Sequence, residues 1–260
     1  VTRLAVFSDL DGCLLDAHSF DSRPVRPALE LLAARGIPLV PVTSKTRAEL
    51  RALARELVLQ GPCIAESGAL IAQALAPDAH CALRAPPHAQ LVALAHELEH
   101  ACGLRLELLS EMSAARAEQT SGLSGAALER AREREASEPL LLSAGALETL
   151  ALAAQARGCG LHSGARFHLL GAAGGKGAAA SDLRAQLERT AGARLWLLGL
   201  GDAPADAALL EVVDEPVLVP RPDGSIDAAL AARFPSARRA PAPGPAGCAQ
   251  VLSEFAARQA

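Results

Sequence analysis

Short apolar runs, each closing on or beside an acid or hydroxyl residue and followed by an amphipathic stretch, recur at both ends of this chain. Leu4 to Ser8 is the first, and it stops at Asp9. Pro24 to Ala34 then carries helical spacing and closes at Gly36, a natural helix stop. Ile37 to Val42 is a second apolar run, Thr46 to Val58 sets Arg and Glu between leucines, and Pro62 to Ala65 is a third short strand. Strand, helix, strand, helix, strand predicts a parallel sheet joined by crossover helices. Gly68 to Ala72 adds a hairpin arm. After Gly174 the alternation returns: helix Lys176 to Thr190, strand Leu195 to Leu200, helix Pro204 to Val212, strand Val217 to Val219. A helix from Ala246 to Ala257 closes the chain, and the Pro- and Ala-rich stretch Arg238 to Gly247 reads as a loop.

The middle behaves differently. Between about Cys81 and Leu170, helical patterns (His88 to Ala101, Gly125 to Arg134, Ala146 to Arg157) mix with strand patterns (Glu138 to Ser143, Leu161 to Leu170) in an order that suits an antiparallel sheet. The expectation is an α/β protein whose parallel-sheet core, residues 1–82 and 173–260, is interrupted by an α+β unit at 83–172. Five Phe, one Trp and no Tyr leave the packing to Leu, Val and Ala, which favours a helix-rich fold over an all-β one.

Charge and cysteine usage exclude several classes. A net charge of −4, with no basic cluster interleaved with aromatics, argues against a nucleic-acid partner. The six cysteines are scattered without a C-x-x-C pair, which reads as reduced thiols and disfavours a zinc site. No signal-peptide pattern and no uncharged membrane-length stretch is apparent, so the expectation is a soluble, cytoplasmic protein without a membrane partner.

Four elements carry chemistry. Asp9-Leu10-Asp11-Gly12 follows the first strand, and two carboxylates that close need a cation between them. A hard divalent ion such as Mg²⁺ fits, being held by carboxylates, water and phosphate oxygens. Gly12 lets the chain turn sharply there. A plain Asx-type turn is the alternative. Gly201-Asp202-Ala203-Pro204-Ala205-Asp206 places two more acids at a strand end, where open α/β sheets bind ligands; helix capping by Asp202 is the compatible alternative. Thr43-Ser44-Lys45 ends the second strand with hydroxyl and amide donors for a phosphoryl oxygen, and Lys176 follows Gly174-Gly175 at a helix start.

In this order, D-x-D-G, strand-terminal Thr, Lys and G-D-x-x-x-D, the chain resembles the haloacid-dehalogenase-like phosphatases over nearly its whole length. The resemblance implies a Rossmann-like core, an inserted cap and an Mg²⁺ cofactor. It implies Asp9 as the nucleophile that becomes an aspartyl-phosphate and Asp11 as general acid, then base. Thr43 would bond the phosphoryl group and Lys176 would neutralise Asp9 and the phosphate. Asp9, the Asp11 carbonyl and Asp202 would hold the metal, supported by Asp206.

Longer strings, Thr43 to Glu49, Glu66-Ser67-Gly68, Arg134 to Pro139 and Arg166 to Gly171, resemble mannosyl-3-phosphoglycerate phosphatases. The implied substrate is a small phosphorylated sugar-glycerate, hydrolysed to mannosylglycerate in compatible-solute synthesis. Substrate-binding candidates are then Gly12, Ser44, Lys45, Arg132, Arg134, Glu135, Ser137, Arg166 and His168, the arginines for anionic groups and the others for hydroxyls. The chain departs from that pattern at Ala203, where Ser is usual, Ala205 and Ser67, where Asn is usual, and Cys13, where Thr is usual. A glucosyl-3-phosphoglycerate or general sugar-phosphate phosphatase, a phosphomutase, and a non-catalytic binding protein on the same fold are the competing readings.

Overall fold

The computed structural model describes residues 3–76, 78–143, 145–164 and 166–258. The first third runs β1 (Arg3–Ser8), α1 (Arg26–Ala34), β2 (Leu39–Pro41), α2 (Arg47–Leu53), β3 (Cys63–Ala65), β4 (Leu70–Ala72) and β5 (Cys81–Leu83). The middle runs α3 (His88–Cys102), β6 (Leu106–Leu108), α4 (Ala114–Ser121), α5 (Gly125–Arg132), β7 (Glu138–Leu142), α6 (Leu147–Ala156), β8 (Cys159–Ser163) and β9 (His168–Ala172). The last third runs α7 (Gly175–Ala191), β10 (Leu195–Gly201), α8 (Ala207–Leu210), β11 (Glu215–Leu218), α9 (Ala228–Arg233), β12 (Arg238–Arg239) and α10 (Gly244–Ala257).

The protein is an α/β fold built on a parallel sheet in the order β12-β11-β10-β1-β2. Alternation along β1 explains why both faces are covered. Val6 joins Leu29 and Leu32 of α1 and Val251, Leu252 and Phe255 of α10 in one apolar cluster. Ala5 and Phe7, pointing the other way, pack with Ala179, Ala180 and Leu183 of α7. Both clusters are dominated by fully buried aliphatic side chains, as the scarcity of aromatics requires.

The middle segment forms an antiparallel sheet, β6-β7-β9-β8. Leu91, Ala95 and Leu98 of α3 and Leu150 and Ala154 of α6 pack on it with Leu140 and Leu170. This agrees with the α+β pattern read from the sequence. Several local expectations need correction. Leu161 to Leu170 is a hairpin rather than one strand, with Ser163 paired to His168; Ala165 of that stretch lies outside the described residues. The third strand, β3, pairs antiparallel with β4 and reaches the main sheet through a single parallel bridge, Val42 to Ile64. Pro204 to Val212 is a 3₁₀ turn (Pro204–Asp206) followed by the short α8, because Asp206 turns its carboxylate back to the amides that precede it. Arg238 and Arg239 form an edge strand rather than a loop, and α10 starts earlier, at Gly244.

At the junction of the two sheets, Glu66–Gly68 forms a 3₁₀ turn in which Glu66 and Ser67 have φ of 51° and 54°. Gly68, at φ 92°, lies so close to α7 that an added Cβ would sit 2.2 Å from the Gly175 carbonyl oxygen. Among the described residues, no helix is long and apolar enough to cross a membrane.

Candidate active site

The parallel strands β1 and β10 end side by side, with Ser8 registered opposite Leu200. Asp9 therefore emerges next to Asp202, and its amide donates to the Leu200 carbonyl at 3.0 Å. The Asp9-Leu10-Asp11-Gly12 turn is closed by Gly12 N–H donating to the Leu15 carbonyl at 2.8 Å. Gly12 has φ 83°, and a Cβ there would meet Asp202 Oδ2 at 2.3 Å. Glycine is thus demanded twice, by the backbone angle and by the carboxylate beside it.

Lys176, on the first turn of α7, donates to Asp9 Oδ1 and to Asp206 Oδ1, both at 2.7 Å. All three side chains are buried. Asp206 uses its other oxygen to accept from the amides of Asp202 and Ala203, at 3.2 and 3.1 Å. Because Ala203 contributes only its main-chain N–H, the loss of the usual Ser leaves this turn intact. Asp206 is therefore a buried brace with both oxygens engaged. Ala205 is exposed and its side chain offers no polar atom.

Burial, repulsion from Asp206 and the nearby Asp202 and Asp11 push the Asp9 carboxyl well above the usual range, against the pull of Lys176. Burial and Asp206 also push Asp202 up to about 7. Burial works against a charged Lys176, yet Asp206 and Asp9 hold its ammonium above its ordinary range. Four carboxylates (Asp9, Asp11, Asp202 and Asp206) face two ammonium groups (Lys45 and Lys176), a surplus of negative charge that a divalent cation would balance.

The donor set suits such an ion. Ligand atoms of Asp9, Asp202 and Cys13 lie within 4.8 Å of one another, and Asp11 Oδ1 is buried without a hydrogen-bond partner. Burial and the neighbouring Cys248 push the Cys13 thiol well up, so it stays neutral and leaves the oxygens as the charged donors. Those are the ligands Mg²⁺ prefers.

Lys45 pairs with Asp11 Oδ2 at 2.9 Å. Thr43 is buried, its hydroxyl accepting from the Lys45 amide at 3.2 Å, while Ser44 reaches the cleft wall. Asp9, Asp11, Ser44, Ser67, Lys176, Asp202 and Asp206 are among the residues lining one cavity of about 570 Å³. The core-side residues read from the sequence are thus brought together, with Gly12, Thr43 and Lys45 outside this lining and Lys45 on the wall of a neighbouring cavity.

The middle-segment candidates divide. Glu135 is taken by a bidentate pair with Arg47, at 2.9 and 3.0 Å. Ser137 is fully buried and donates to Glu66 Oε2 at 2.7 Å. Arg132 donates to the Met112 carbonyl, and His168 Nδ1 lies 3.1 Å from the Ser163 hydroxyl. None of these four lines the cavities at the cleft. Arg134 and Arg166 do line a cavity beside Asp11, although Arg134 already donates to the Ala131 and Ser44 carbonyls and Arg166 to the Ser121 carbonyl.

Three residues escaped sequence reasoning. Glu66, buried, accepts from the amides of Glu135 and Ala136 at 2.9 and 3.1 Å as well as from Ser137. Its own amide donates to the Lys45 carbonyl at 2.9 Å, so it ties the 134–138 crossing to the Thr43–Lys45 turn. His162 lines the large cavity, its Nε2 2.7 Å from the Ala172 carbonyl. Phe20 lines a smaller cavity beside Asp11, with the Lys45 ammonium over its ring. Only the Glu66-Ser67-Gly68 string gave a signal, and it did not reveal a role.

Comparison with solved structures defines the fold class first. A haloalkanoate-superfamily phosphatase from Bacteroides thetaiotaomicron superposes with a TM-score of 0.72 at 16% identity, over 98% of this chain and 95% of that one. A Thermoplasma acidophilum protein superposes at 0.69 with 16% identity, over 98% of each chain. The sucrose-phosphatase of Synechocystis, solved with sucrose and phosphate, superposes at 0.63 with 15% identity, over 98% of each chain. These likenesses establish the architecture. The family model for haloacid dehalogenase-like hydrolases matches residues 6–102, the stretch carrying Asp9, Asp11 and Thr43, and supports a hydrolase of that kind.

Proposed function

We propose that the chain is a Mg²⁺-dependent phosphomonoesterase working through an aspartyl-phosphate on Asp9. The observation that carries this reading is the buried Lys176 bridging Asp9 and Asp206 at 2.7 Å each, on the wall of a cavity that also holds Asp11 and Asp202. A lone buried ion pair is a poor stabilising device, so three buried charges around one cavity are better explained by chemistry. Residues 83–172 form the cap in this reading, inserted between core segments 1–82 and 173–260.

Asp9 attacks phosphorus, forming a new P–O bond as the ester P–O bond breaks. Asp11 donates a proton to the leaving oxygen. Water, deprotonated by Asp11, then attacks the same phosphorus and releases Asp9. Lys176 fixes the orientation of Asp9 and offsets the charge on the transferring group. Lys45 holds Asp11 at the cleft until phosphoryl oxygens give the ammonium another partner. The Thr43 hydroxyl and the Ser44 region supply neutral donors. Asp9, Asp202 and the Asp11 carbonyl would hold Mg²⁺, which supplies charge to the phosphoryl oxygens when bound.

The substrate we propose is mannosyl-3-phosphoglycerate, giving mannosylglycerate and phosphate. Support comes from the strings that resemble those phosphatases and from the cations Lys45, Arg134 and Arg166 beside Asp11. Phosphate release from mannosyl- and glucosyl-3-phosphoglycerate and simple sugar phosphates, with and without Mg²⁺, tests it. Preference for the mannosyl ester supports the full reading. Activity spread over simple sugar phosphates would retain the mechanism and reject the substrate. Silence on every ester would overturn both.

A further inference from the structure

Beyond the large cavity lies a smaller one of about 240 Å³, and the two share Asp11, Ala17, Ser44 and Gly164 in their walls. Asp11, the proposed proton donor to the leaving oxygen, therefore stands where one cavity opens into the other. With phosphorus at Asp9, a leaving group directed past Asp11 enters the smaller space. Its wall sets apolar side chains, among them Leu109, Leu123, Phe167 and Phe20, beside the charged Lys45 and Arg166.

Phe20 is unusual among these. It is one of five Phe in the chain, is 45% exposed and has φ 57°, a region bulky residues seldom occupy and that tends to persist at functional sites. Its loop is firmly built. Asp16 Oδ1 accepts from the amides of His18 and Ser19 at 3.1 and 2.8 Å and from the Ser19 hydroxyl at 2.8 Å. The Phe20 amide donates to the Asp16 carbonyl at 3.0 Å, and the Asp16 amide to the Asp21 carbonyl at 3.1 Å. The loop thus closes on itself and presents the ring outward. The Lys45 ammonium lies 5.2 Å from the ring centroid, within cation–π range, while it pairs with Asp11.

We infer that Phe20 is a specificity-determining residue: its ring is the platform on which a sugar ring of the leaving group stacks. The substrate class is a phosphomonoester whose alcohol carries a pyranose a short distance from the phosphate. A pyranose fits because it has an apolar C–H face for the phenyl ring and a rim of hydroxyls for Arg166, whose Nη1 donates to the Ser121 carbonyl while its other N–H groups have no hydrogen-bond partner among the described residues. A long acyl chain would match this small space and its charged side chains poorly. The inference rests on the phosphatase reading.

The test uses Phe20→Ala and Phe20→Trp in the full chain with Mg²⁺, on mannosyl-3-phosphoglycerate and on glycerol 3-phosphate, which lacks a ring. We expect Phe20→Ala to lower kcat/KM for the ring-bearing ester at least tenfold more than for the ring-free one, mainly through KM. Phe20→Trp, which keeps an aromatic face, should retain the preference. An unchanged preference in Phe20→Ala, or a loss in Phe20→Trp as complete as in Phe20→Ala, would overturn the inference. So would a wild-type protein that hydrolyses only the ring-free ester, although the phosphatase reading would then stand. Wild-type protein inert on both esters would instead sink that reading and the inference with it.

Discussion

Lys176 and Arg134 are both cations drawn into the cleft, and they finish in opposite situations. Lys176 meets two carboxylates that are themselves crowded by further acids, so charge faces charge and a surplus remains. Arg134 meets main-chain carbonyls of Ala131 and Ser44 and helps hold two parts of the chain together. The same contrast runs along both walls. On the core side polar groups are gathered around a cavity; on the other side Arg132, Glu135, Ser137 and His168 are bound to protein partners away from it. Charged residues near a cleft are therefore informative only once their partners are known.

The largest effect that would sharpen this contrast is on Asp9. Asp9→Asn should reduce phosphate release by about 10⁴-fold or more, as loss of a covalent nucleophile does in other hydrolases. A variant retaining a tenth of the activity would break the assignment. Lys176→Met comes next. It leaves Asp9 and Asp206 buried without their shared cation, and a loss of about 3–5 kcal/mol in denaturant unfolding is expected. Since the lysine also serves the chemistry, kcat should fall by about 10²-fold or more.

Glu66→Ala tests the junction. Three donors lose their acceptor, and each buried unmade bond costs about 1–3 kcal/mol. Melting should fall clearly, and kcat/KM for large esters should drop further than for small ones, because the Thr43–Lys45 turn loses its tie to the proposed cap. Equal losses for both ester sizes would make Glu66 a purely structural group.

A pH experiment probes the charge surplus. The metal-free folded protein binds a proton at Asp202 up to about pH 7, whereas the unfolded chain releases it near 3.8. Between those values the native state holds more protons, so this group makes stability fall as pH rises. Raised Asp9 acts in the same direction. Mg²⁺ should consequently increase the melting temperature more at pH 8 than at pH 5. A gain that is flat or reversed with pH would argue against binding at these carboxylates. The smallest effects belong to Arg132→Ala and His168→Ala, for which KM should stay within about threefold, because neither side chain reaches the cleft. A tenfold rise in either would return that residue to the binding surface.

What could be read from the sequence follows the same division. Asp9, Asp11, Lys176 and Asp202 were legible because each sits at a strand end or helix entrance, and parallel strands bring such ends together. The site therefore follows from topology. Glu66 was not legible, because its partners are amides some 70 residues away and an isolated Glu after a strand carries no sign of them. For Glu135 and Ser137 the residue types suit a sugar, and only the fold reveals Arg47 and Glu66 beside them. The helix expected from Pro204 was shortened by Asp206, whose carboxylate serves the preceding amides and Lys176 together.

The near-contact between Gly68 and the Gly175 carbonyl has a consequence for anyone who reshapes this protein. At Gly68 and Gly175 the turn leading into the middle segment and the helix start bearing Lys176 meet through backbone, with no side chain between them to act as a cushion. Even one methyl group at position 68 would push on the peptide next to the lysine. Attempts to swap the middle segment for one of different shape should keep this pair of glycines as a fixed pivot, since a misfit there would be delivered straight to the ammonium.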